Sequence, residues 1–339
     1  MVVLRNADAA ILAEAGGRRF YRKRYTRYSD FNRATGSLRQ AGSAWKPMVY
    51  LAAFREGLKL DTMVPDEPIA IPTGANRPVK WIANYDNEFK GPIAMRQALA
   101  ESRNAVAVWI TREIGLDRVI GTSQELGIRI RTSPQPYITT ALGASEVRLL
   151  ELAGAYRAMA SGILADPYII DRVTDASGEV LYEAARTALA FNSSHLNLIQ
   201  EGLRGVVRIP GGTAHSLYGR DFPIPVMGKT GTTSDCRDAL FVGSTYGPQG
   251  VTVAVRIGFD DNRTLGDKET GGRAALPIFR EIMLLTYQQE LVGSAPSFPR
   301  EIEDGIDQYL QRQPLDPDDP QLADRGLTAT PYNQREQSR

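Results

Sequence analysis

The chain has 339 residues, a hydrophobic share of 42% and a formal net charge of +1, values typical of a globular protein with one large domain or two ordinary ones. The charge gives no sign of a nucleic-acid-binding protein, and the single cysteine excludes an internal disulfide. The two histidines lie far apart without partners at ligand spacing, so we expect neither a zinc site nor a Ser-His-Asp triad, and no metal or cofactor.

The beginning of the chain lacks the pattern of a signal peptide or a membrane span, because its longest apolar stretch, residues 9–15, is short and contains Glu14. That stretch, followed by two glycines, predicts a strand ending in a turn. The basic and aromatic run at 18–28 favours a solvated loop over a patch for anionic polymers or lipid headgroups.

Helical spacing of apolar residues begins at Ser43 and predicts a helix that buries one face, with Pro47 tolerated in its first turn. Further helices are predicted at 93–101 and 105–114, the second capped at its start by Asn104. Another is predicted at 146–161, ending at Gly162.

Three strands are predicted near the end of the chain, at 226–231, 239–243 and 251–257. Their short connections predict an antiparallel sheet, which a helix at 275–290 follows. Residues 292–339 are rich in Pro, Asp, Gln and Arg and predict a mostly disordered tail, apart from a short helical pattern at 302–310.

The first of three polar motifs is Ser43-Ala44-Trp45-Lys46. A serine at a helix start has the positive end of the helix dipole beneath it, and a lysine three residues later lies on the same face. Burial and a second cation such as Lys229 would lower the pKa of Lys46, so that it could act as a base. Taken alone, the motif is more typical of an N-cap serine and a surface lysine than of a catalytic pair.

The second motif, Ser102-Arg103-Asn104, supplies a hydroxyl that can pass a proton to a leaving nitrogen and an amide that can hold a peptide group. The third, Lys229-Thr230-Gly231-Thr232, puts a cation and two hydroxyls on one strand, where a peptide-like substrate with a carboxylate can lie as an added strand. The N–H groups of Thr232 and Ser43 form a candidate oxyanion hole. Alone, these motifs are also typical of capping residues and of a turn before a strand.

All three motifs in this order are specific for acyl transfer by a serine, and the chain resembles the transpeptidase domain of class A penicillin-binding proteins. The resemblance extends over residues 8–290 and includes further stretches: residues 30–47, 99–104, 141–147, 212–214, 228–233, 237–243 and 271–275.

The resemblance implies an α+β fold, an antiparallel sheet flanked by helices, with a helical lobe at roughly 56–185 inserted in a transpeptidase domain of residues 1–291. It implies that Ser43 is the acylated nucleophile, Lys46 its base and Ser102 the proton relay. Substrate-binding roles fall to Asn104, Lys229, Thr230 and Thr232. The reaction implied is cross-linking of peptidoglycan stem peptides, inhibited by β-lactam antibiotics, on the periplasmic side of the inner membrane.

The chain departs from the family pattern at several positions: Ala41, Trp45, Leu240 and the stretch Ser234-Asp235-Cys236. The last of these is expected to alter the rim of the site. Class A members carry a membrane anchor and a glycosyltransferase domain before this region, whereas Met1 lies almost at its first strand. We therefore expect a fragment or a truncated gene product, without glycosyltransferase activity and attached to a membrane only through a region absent from this chain.

Three alternatives stay open at the level of the sequence: a serine β-lactamase, a D,D-carboxypeptidase, and a non-catalytic penicillin-binding or cell-wall-binding module. A class A β-lactamase needs a glutamate that activates water, and residues 132–145 contain none. A carboxypeptidase differs only in using water as the acyl acceptor, and a non-catalytic module is disfavoured by the presence of Ser43.

Overall fold

The computed structural model describes residues 1–17, 31–71, 79–130, 137–184 and 193–312. The basic run at 18–28 lies outside the described residues. So do residues 132–136 and the part of the predicted tail after residue 312. The helices are α1 (Lys46–Arg55), α2 (Met95–Ala100), α3 (Asn104–Ile114), α4 (Leu116–Glu125), α5 (Leu149–Ser161), α6 (Ser193–Arg208), α7 (Leu276–Gln288) and α8 (Arg300–Arg312). The strands are β1 (Val2–Arg5), β2 (Ile11–Glu14), β3 (Arg39–Gln40), β4 (Met63–Asp66), β5 (Ile69–Ile71), β6 (Lys80–Ile82), β7 (Gly91–Ala94), β8 (Glu146–Val147), β9 (Arg172–Thr174), β10 (Val180–Glu183), β11 (Met227–Thr232), β12 (Asp238–Ser244) and β13 (Val251–Gly258).

The central sheet has the strand order β11-β12-β13-β1-β2, and every neighbouring pair is antiparallel. The antiparallel sheet predicted from the last three strands is therefore confirmed, and the predicted strand at 9–15 is β2 at its edge. Strand β1 was not predicted from the sequence; it pairs with β13 in the register Val3↔Val253 and so joins the two ends of the domain.

Helices cover both faces of this sheet. All seven residues of β12 are buried, although successive side chains point to opposite faces. The ring of Phe279 in α7 packs edge-on against Phe241, with centroids 4.6 Å apart, while α5 and α6 also pack against the sheet. A sheet buried on both faces is a rigid support for residues on its edge strand, β11.

Helix α1 differs from its prediction in two ways. The chain first forms a 3-10 turn at Gly42–Trp45, and the α-helix begins only at Lys46. The prediction of one buried face is wrong, because every residue from Lys46 to Phe54 is buried. The helix runs through the centre of the molecule and packs against α3, α4 and α6 at once, so it has no side that faces solvent.

Two other helices begin later than predicted, because the residues before them pair as strands. Residues Gly91–Ala94 pair with β4, so α2 begins at Met95, and Glu146–Val147 pair with β3, so α5 begins at Leu149. The predicted stop of α5 at Gly162 is confirmed, with φ +72°.

Helix α8 includes the short helical pattern predicted at 302–310, within a stretch otherwise predicted as a mostly disordered tail. Its residues Ile302, Ile306 and Tyr309 are buried, and Glu303 accepts hydrogen bonds from Arg204 and Arg208 of α6. Residues 300–312 are therefore packed on the rest of the molecule, and the domain limit at residue 291 and the helical lobe at 56–185 stay predictions. No helix in the described part of the chain has the length and apolar character needed to cross a bilayer.

Candidate active site

Ser43 lies in the 3-10 turn Gly42–Trp45, directly before α1, and is half-buried. Side chains three residues apart eclipse each other in a 3-10 turn, so Ser43 and Lys46 project on the same side. The Tyr156 hydroxyl of α5 donates to the carbonyl of Ala44 at 2.7 Å and fixes the turn from behind. The sequence predicted an α-helical turn at Ser43, whereas the structure has a 3-10 turn there.

Two glycines bring this turn against strand β11. A Cβ on Gly42, whose φ is +52°, would lie 2.4 Å from the carbonyl oxygen of Thr232, and a Cβ on Gly231 would lie 2.7 Å from that of Ala41. Both contacts are closer than a side chain permits, so the two backbones touch only because both positions are glycine. The structure therefore brings Ser43 and Thr232, the residues of the predicted oxyanion hole, onto adjoining segments.

The side chain of Lys46 is fully buried and joins the first motif to the second. Its Nζ donates to the carbonyl of Ser102, to Ser102 Oγ at 3.2 Å and to Asn104 Oδ1 at 2.8 Å. Among the hydrogen bonds of the described residues, none joins Lys46 to the Ser43 hydroxyl.

Burial lowers the pKa of Lys46 well below its ordinary value, since an ammonium group loses its hydration there. The positive charges of Lys229 and Arg103 lower this pKa further, and the negative charge of Asp66 opposes them. These surroundings favour the neutral amine, which is the form that can accept a proton.

Ser102 lies on the short connection between α2 and α3, as predicted from the sequence, and has a positive φ of +63°. The prediction that Asn104 caps α3 is wrong: Asn104 is the first residue of the helix, and its side chain turns away to Lys46 and to the carbonyl of Ala83, 3.0 Å from Nδ2. The side chain of Asn84 takes the capping place, since its Oδ1 accepts from the N–H groups of Asn104 and Ala105 at 2.7 and 3.2 Å. No local pattern could have identified Asn84, because it lies twenty residues before the helix that it caps.

Lys229 and Thr230 lie on β11 and are both buried, with Lys229 wholly inaccessible to solvent. The Nζ of Lys229 donates to the hydroxyls of Thr213 and Thr230, each at 3.4 Å, and Thr230 donates to Thr213 at 2.7 Å. Burial lowers the pKa of Lys229 to about 7. Thr213 was not among the predicted site residues, although the sequence stretch that contains it was part of the resemblance.

The three motifs meet at one cleft of about 680 Å³. Its walls include Ser43, Ser102, Asn104, Thr230 and Thr232. The two lysines lie buried beneath these walls, so the cleft presents hydroxyls and amides at its surface with amines directly behind them. Such an arrangement suits a peptide-like acyl donor that needs proton transfers and carbonyl polarisation.

The rim of the cleft includes the stretch Ser234–Cys236, where the chain departs from the family pattern. Asp235 and Cys236 both have positive φ, +57° and +48°, so this rim is an irregular turn. Thr232, at the end of β11, accepts through its hydroxyl a hydrogen bond from the N–H of Gly271 at 3.0 Å.

Among the described residues, no group of three or more His, Cys, Asp and Glu side chains could hold a metal ion.

Comparison of the sequence with known proteins finds matches to penicillin-binding proteins. A family model described as the penicillin-binding protein transpeptidase domain matches residues 1–284. Penicillin-binding protein 1A of Neisseria lactamica is 32% identical over 346 residues, which cover 99% of this chain and 41% of the relative. Penicillin-binding protein 1A of Rickettsia bellii is 30% identical over 331 residues, covering 90% of this chain and 39% of the relative. The chain thus spans about two fifths of the length of the curated relatives it matches.

Solved structures share the fold. The crystal structure of penicillin-binding protein 1A from Haemophilus influenzae aligns with a TM-score of 0.72 and 26% identity, over 88% of this chain and 48% of that one. The structure of PonA1 from Mycobacterium tuberculosis in complex with penicillin V also aligns with a TM-score of 0.72, at 21% identity, over 88% of this chain and 79% of that one. The second likeness concerns the fold alone.

Proposed function

The chain belongs to the penicillin-binding protein transpeptidase family, and we propose that it is a peptidoglycan D,D-transpeptidase that works through an acyl-enzyme on Ser43. One observation carries the proposal. Lys46 is buried, and its lowered pKa favours the neutral amine. It contacts both Ser102 and Asn104 directly beneath the cleft that Ser43 lines. The proposed base and the proposed proton relay are thereby in direct contact, beneath the cleft that the proposed nucleophile lines.

In the first half of the proposed reaction, Ser43 Oγ attacks the carbonyl carbon of the D-Ala–D-Ala peptide bond and transfers its proton to Lys46. The N–H groups of Ser43 and Thr232 stabilise the negative charge that develops on the carbonyl oxygen. The C–N bond then breaks, and the departing nitrogen takes a proton from Lys46 through the Ser102 hydroxyl, which lies 3.2 Å from Nζ. D-alanine leaves, and the rest of the stem peptide stays as an ester on Ser43.

In the second half, an amine from a neighbouring strand attacks this ester. The same groups act in reverse: the amine gives up a proton through Ser102 and Lys46, and Ser43 Oγ takes a proton as its ester bond breaks. The product is a new amide bond between two stem peptides. Because the ends of these peptides lie outside the cytoplasm, we propose an extracytoplasmic location on the outer face of the inner membrane.

Substrate binding falls to the polar groups along β11 and to Asn104. The cation of Lys229 attracts the terminal carboxylate of the substrate through the hydroxyls of Thr230 and Thr213, which separate it from the cleft. Thr232 receives the peptide backbone along β11, and Asn104 holds a peptide amide of the donor strand. A β-lactam presents a carboxylate and a strained amide in the same relation, and so inhibits by acylating Ser43.

The test of this function is the mass of the intact protein after incubation with benzylpenicillin. We expect one covalent adduct, mapped by peptide analysis to Ser43, and none on the Ser43→Ala variant. The adduct should persist for many minutes, since a serine ester that no activated water can reach hydrolyses slowly. Labelling that survives in the Ser43→Ala variant would overturn the assignment of the nucleophile.

The same preparation distinguishes the alternatives. Steady hydrolysis of nitrocefin at about 10 per second or faster, an ordinary enzyme rate, would establish a β-lactamase instead. Release of D-alanine from a stem peptide without formation of a cross-linked dimer, in the presence of an acceptor amine, would establish a carboxypeptidase. Failure of wild-type protein to form any adduct would leave a non-catalytic module.

The proposed role of Lys229 predicts a selective loss. Lys229→Ala should slow acylation about tenfold for β-lactams that carry a carboxylate, and less for an analogue with that group esterified, because the attraction between opposite charges is lost only for the former. An equal loss for both compounds would contradict the role in carboxylate binding.

The pKa of Lys229 predicts the sign of a pH effect. With a pKa of about 7, Lys229 loses its charge as the pH rises through neutrality, so the second-order acylation rate for a carboxylate-bearing β-lactam should fall on the alkaline side. The Lys229→Ala variant should lack this decline, which stopped-flow acylation between pH 5 and 9 would measure.

A further inference from the structure

The middle residue of the second motif, Arg103, points in the opposite direction from its neighbours Ser102 and Asn104. Its guanidinium is buried, and Nε donates to the inaccessible carboxylate of Asp66 at 2.8 Å. Its other nitrogens donate to Asp86 and to the carbonyl of Glu88, each at 2.6 Å. The residue therefore anchors the connection between α2 and α3 from behind.

A second anchor comes from Asn84, which is also buried and is bound to the same carboxylate. Its Nδ2 donates to Asp66 Oδ1 at 2.7 Å and to the carbonyl of Glu88 at 2.9 Å, and these bonds fix the direction of its Oδ1. That oxygen accepts from the first two N–H groups of α3, those of Asn104 and Ala105. The first turn of α3 is thus held by a side chain that itself has no freedom to rotate.

Between these anchors and Lys46, the second motif is held on two sides. Ser102 has a positive φ, a strained conformation for a non-glycine residue that persists only where the surroundings enforce it. In front, Lys46 binds the carbonyl and hydroxyl of Ser102. Behind, Arg103 and Asn84 hold the residues that follow, so Ser102 cannot relax without breaking buried hydrogen bonds.

We propose that Asn84 and Arg103, joined through Asp66, are positioning residues of the acylation reaction: they hold Ser102 and Asn104 at the separations from Lys46 that proton relay and amide binding require. The inference rests on the proposed function of Ser43, Lys46 and Ser102. Neither residue touches the substrate peptide group in this role; each acts through the motif that it anchors.

The conservative substitution Arg103→Lys separates the effect of the hydrogen-bond geometry of Arg103 from the effect of its charge. Arg103→Lys retains the positive charge beside Asp66, but one ammonium group cannot reach Asp66, Asp86 and the carbonyl of Glu88 together as the planar guanidinium does. Asn84→Ala removes the cap of α3 and the bond to Asp66. Matched controls are Arg112→Lys, at an exposed position of α3, and Asn197→Ala, at an exposed position of α6.

The experiment compares acylation by benzylpenicillin with acylation by 6-aminopenicillanic acid, which has the same β-lactam but lacks the side-chain amide. Displacement of Ser102 slows both reactions, whereas displacement of Asn104 slows only the reaction of the compound that has an amide to bind. We expect Arg103→Lys and Asn84→Ala to lose about 100-fold with benzylpenicillin, the scale of a misplacement of about 1 Å, and about tenfold with 6-aminopenicillanic acid. Both controls should retain wild-type rates with both compounds.

Rates are measured per folded protein, at a temperature below each variant's thermal transition. An equal loss with both compounds would show that Asn104 is not held by these residues and would overturn the proposed joint positioning of Ser102 and Asn104. Wild-type rates in the two variants would overturn any positioning role, and either result would leave the function of Ser43 intact. If Asn84→Ala does not fold, Arg103→Lys decides the question by the same ratio. Failure of the wild-type protein to be acylated would instead contradict the proposed function itself.

Discussion

Replacing Lys46 with alanine should slow acylation of Ser43 by benzylpenicillin about 10⁴-fold or more, while the protein remains folded. Loss of one member of a nucleophile–base unit costs roughly as much as loss of the unit, because a hydroxyl that keeps its proton is a poor nucleophile. Lys46 also holds Ser102 and Asn104 through its hydrogen bonds, so its removal affects the proposed relay as well as the proposed base. Time courses of labelling with a fluorescent penicillin measure the rate.

The matched control is Lys59→Ala, which removes an exposed lysine from the turn after α1 and should leave the rate unchanged. Circular dichroism and the thermal midpoint show whether the Lys46→Ala variant is folded. A folded variant that loses only about tenfold in rate would mean that another group acts as the base.

The effect of Lys229 on the pKa of Lys46 shows how far the sequence could predict the electrostatics of the cleft. Burial and the charge of Lys229 were both named as causes that would lower the pKa of Lys46, and both act in the structure. The contributions of Arg103 and Asp66 were not predictable, since they depend on a buried ion pair whose partners lie thirty-seven residues apart. Short motifs carry the chemistry, but the groups that surround them come together only through the tertiary fold.

The helix α1 shows the same limit in the fold. Its apolar residues and the proline in its first turn predicted a helix in the right place. The pattern could not show that every side would be covered, because this depends on how many other helices pack around it. Similarly, asparagine is a residue type that commonly caps helices, which is why the cap was predicted at Asn104. In the structure the side chain of Asn104 accepts from the buried amine of Lys46, and Asn84 caps the helix instead.

Gly42→Ala should slow acylation by benzylpenicillin about 100-fold or more. The added Cβ would lie 2.4 Å from the Thr232 carbonyl oxygen, whereas ordinary van der Waals contact begins at 3.4 Å. The 3-10 turn Gly42–Trp45 and β11 must therefore separate by about 1 Å. A displacement of this size costs about two orders of magnitude in rate. The separation also moves the N–H groups of Ser43 and Thr232 apart, which weakens the proposed stabilisation of the oxyanion.

Gly57→Ala is the matched control, because it separates backbone strain from the clash. Gly57 has a φ of +93°, so alanine is strained there too, but a Cβ at this position has no atom within 4 Å. We expect this variant to lower the thermal midpoint and to keep the wild-type acylation rate. If Gly42→Ala retained a wild-type rate, or if both variants lost rate equally, close contact between the turn and β11 would not be what positions Ser43 for attack.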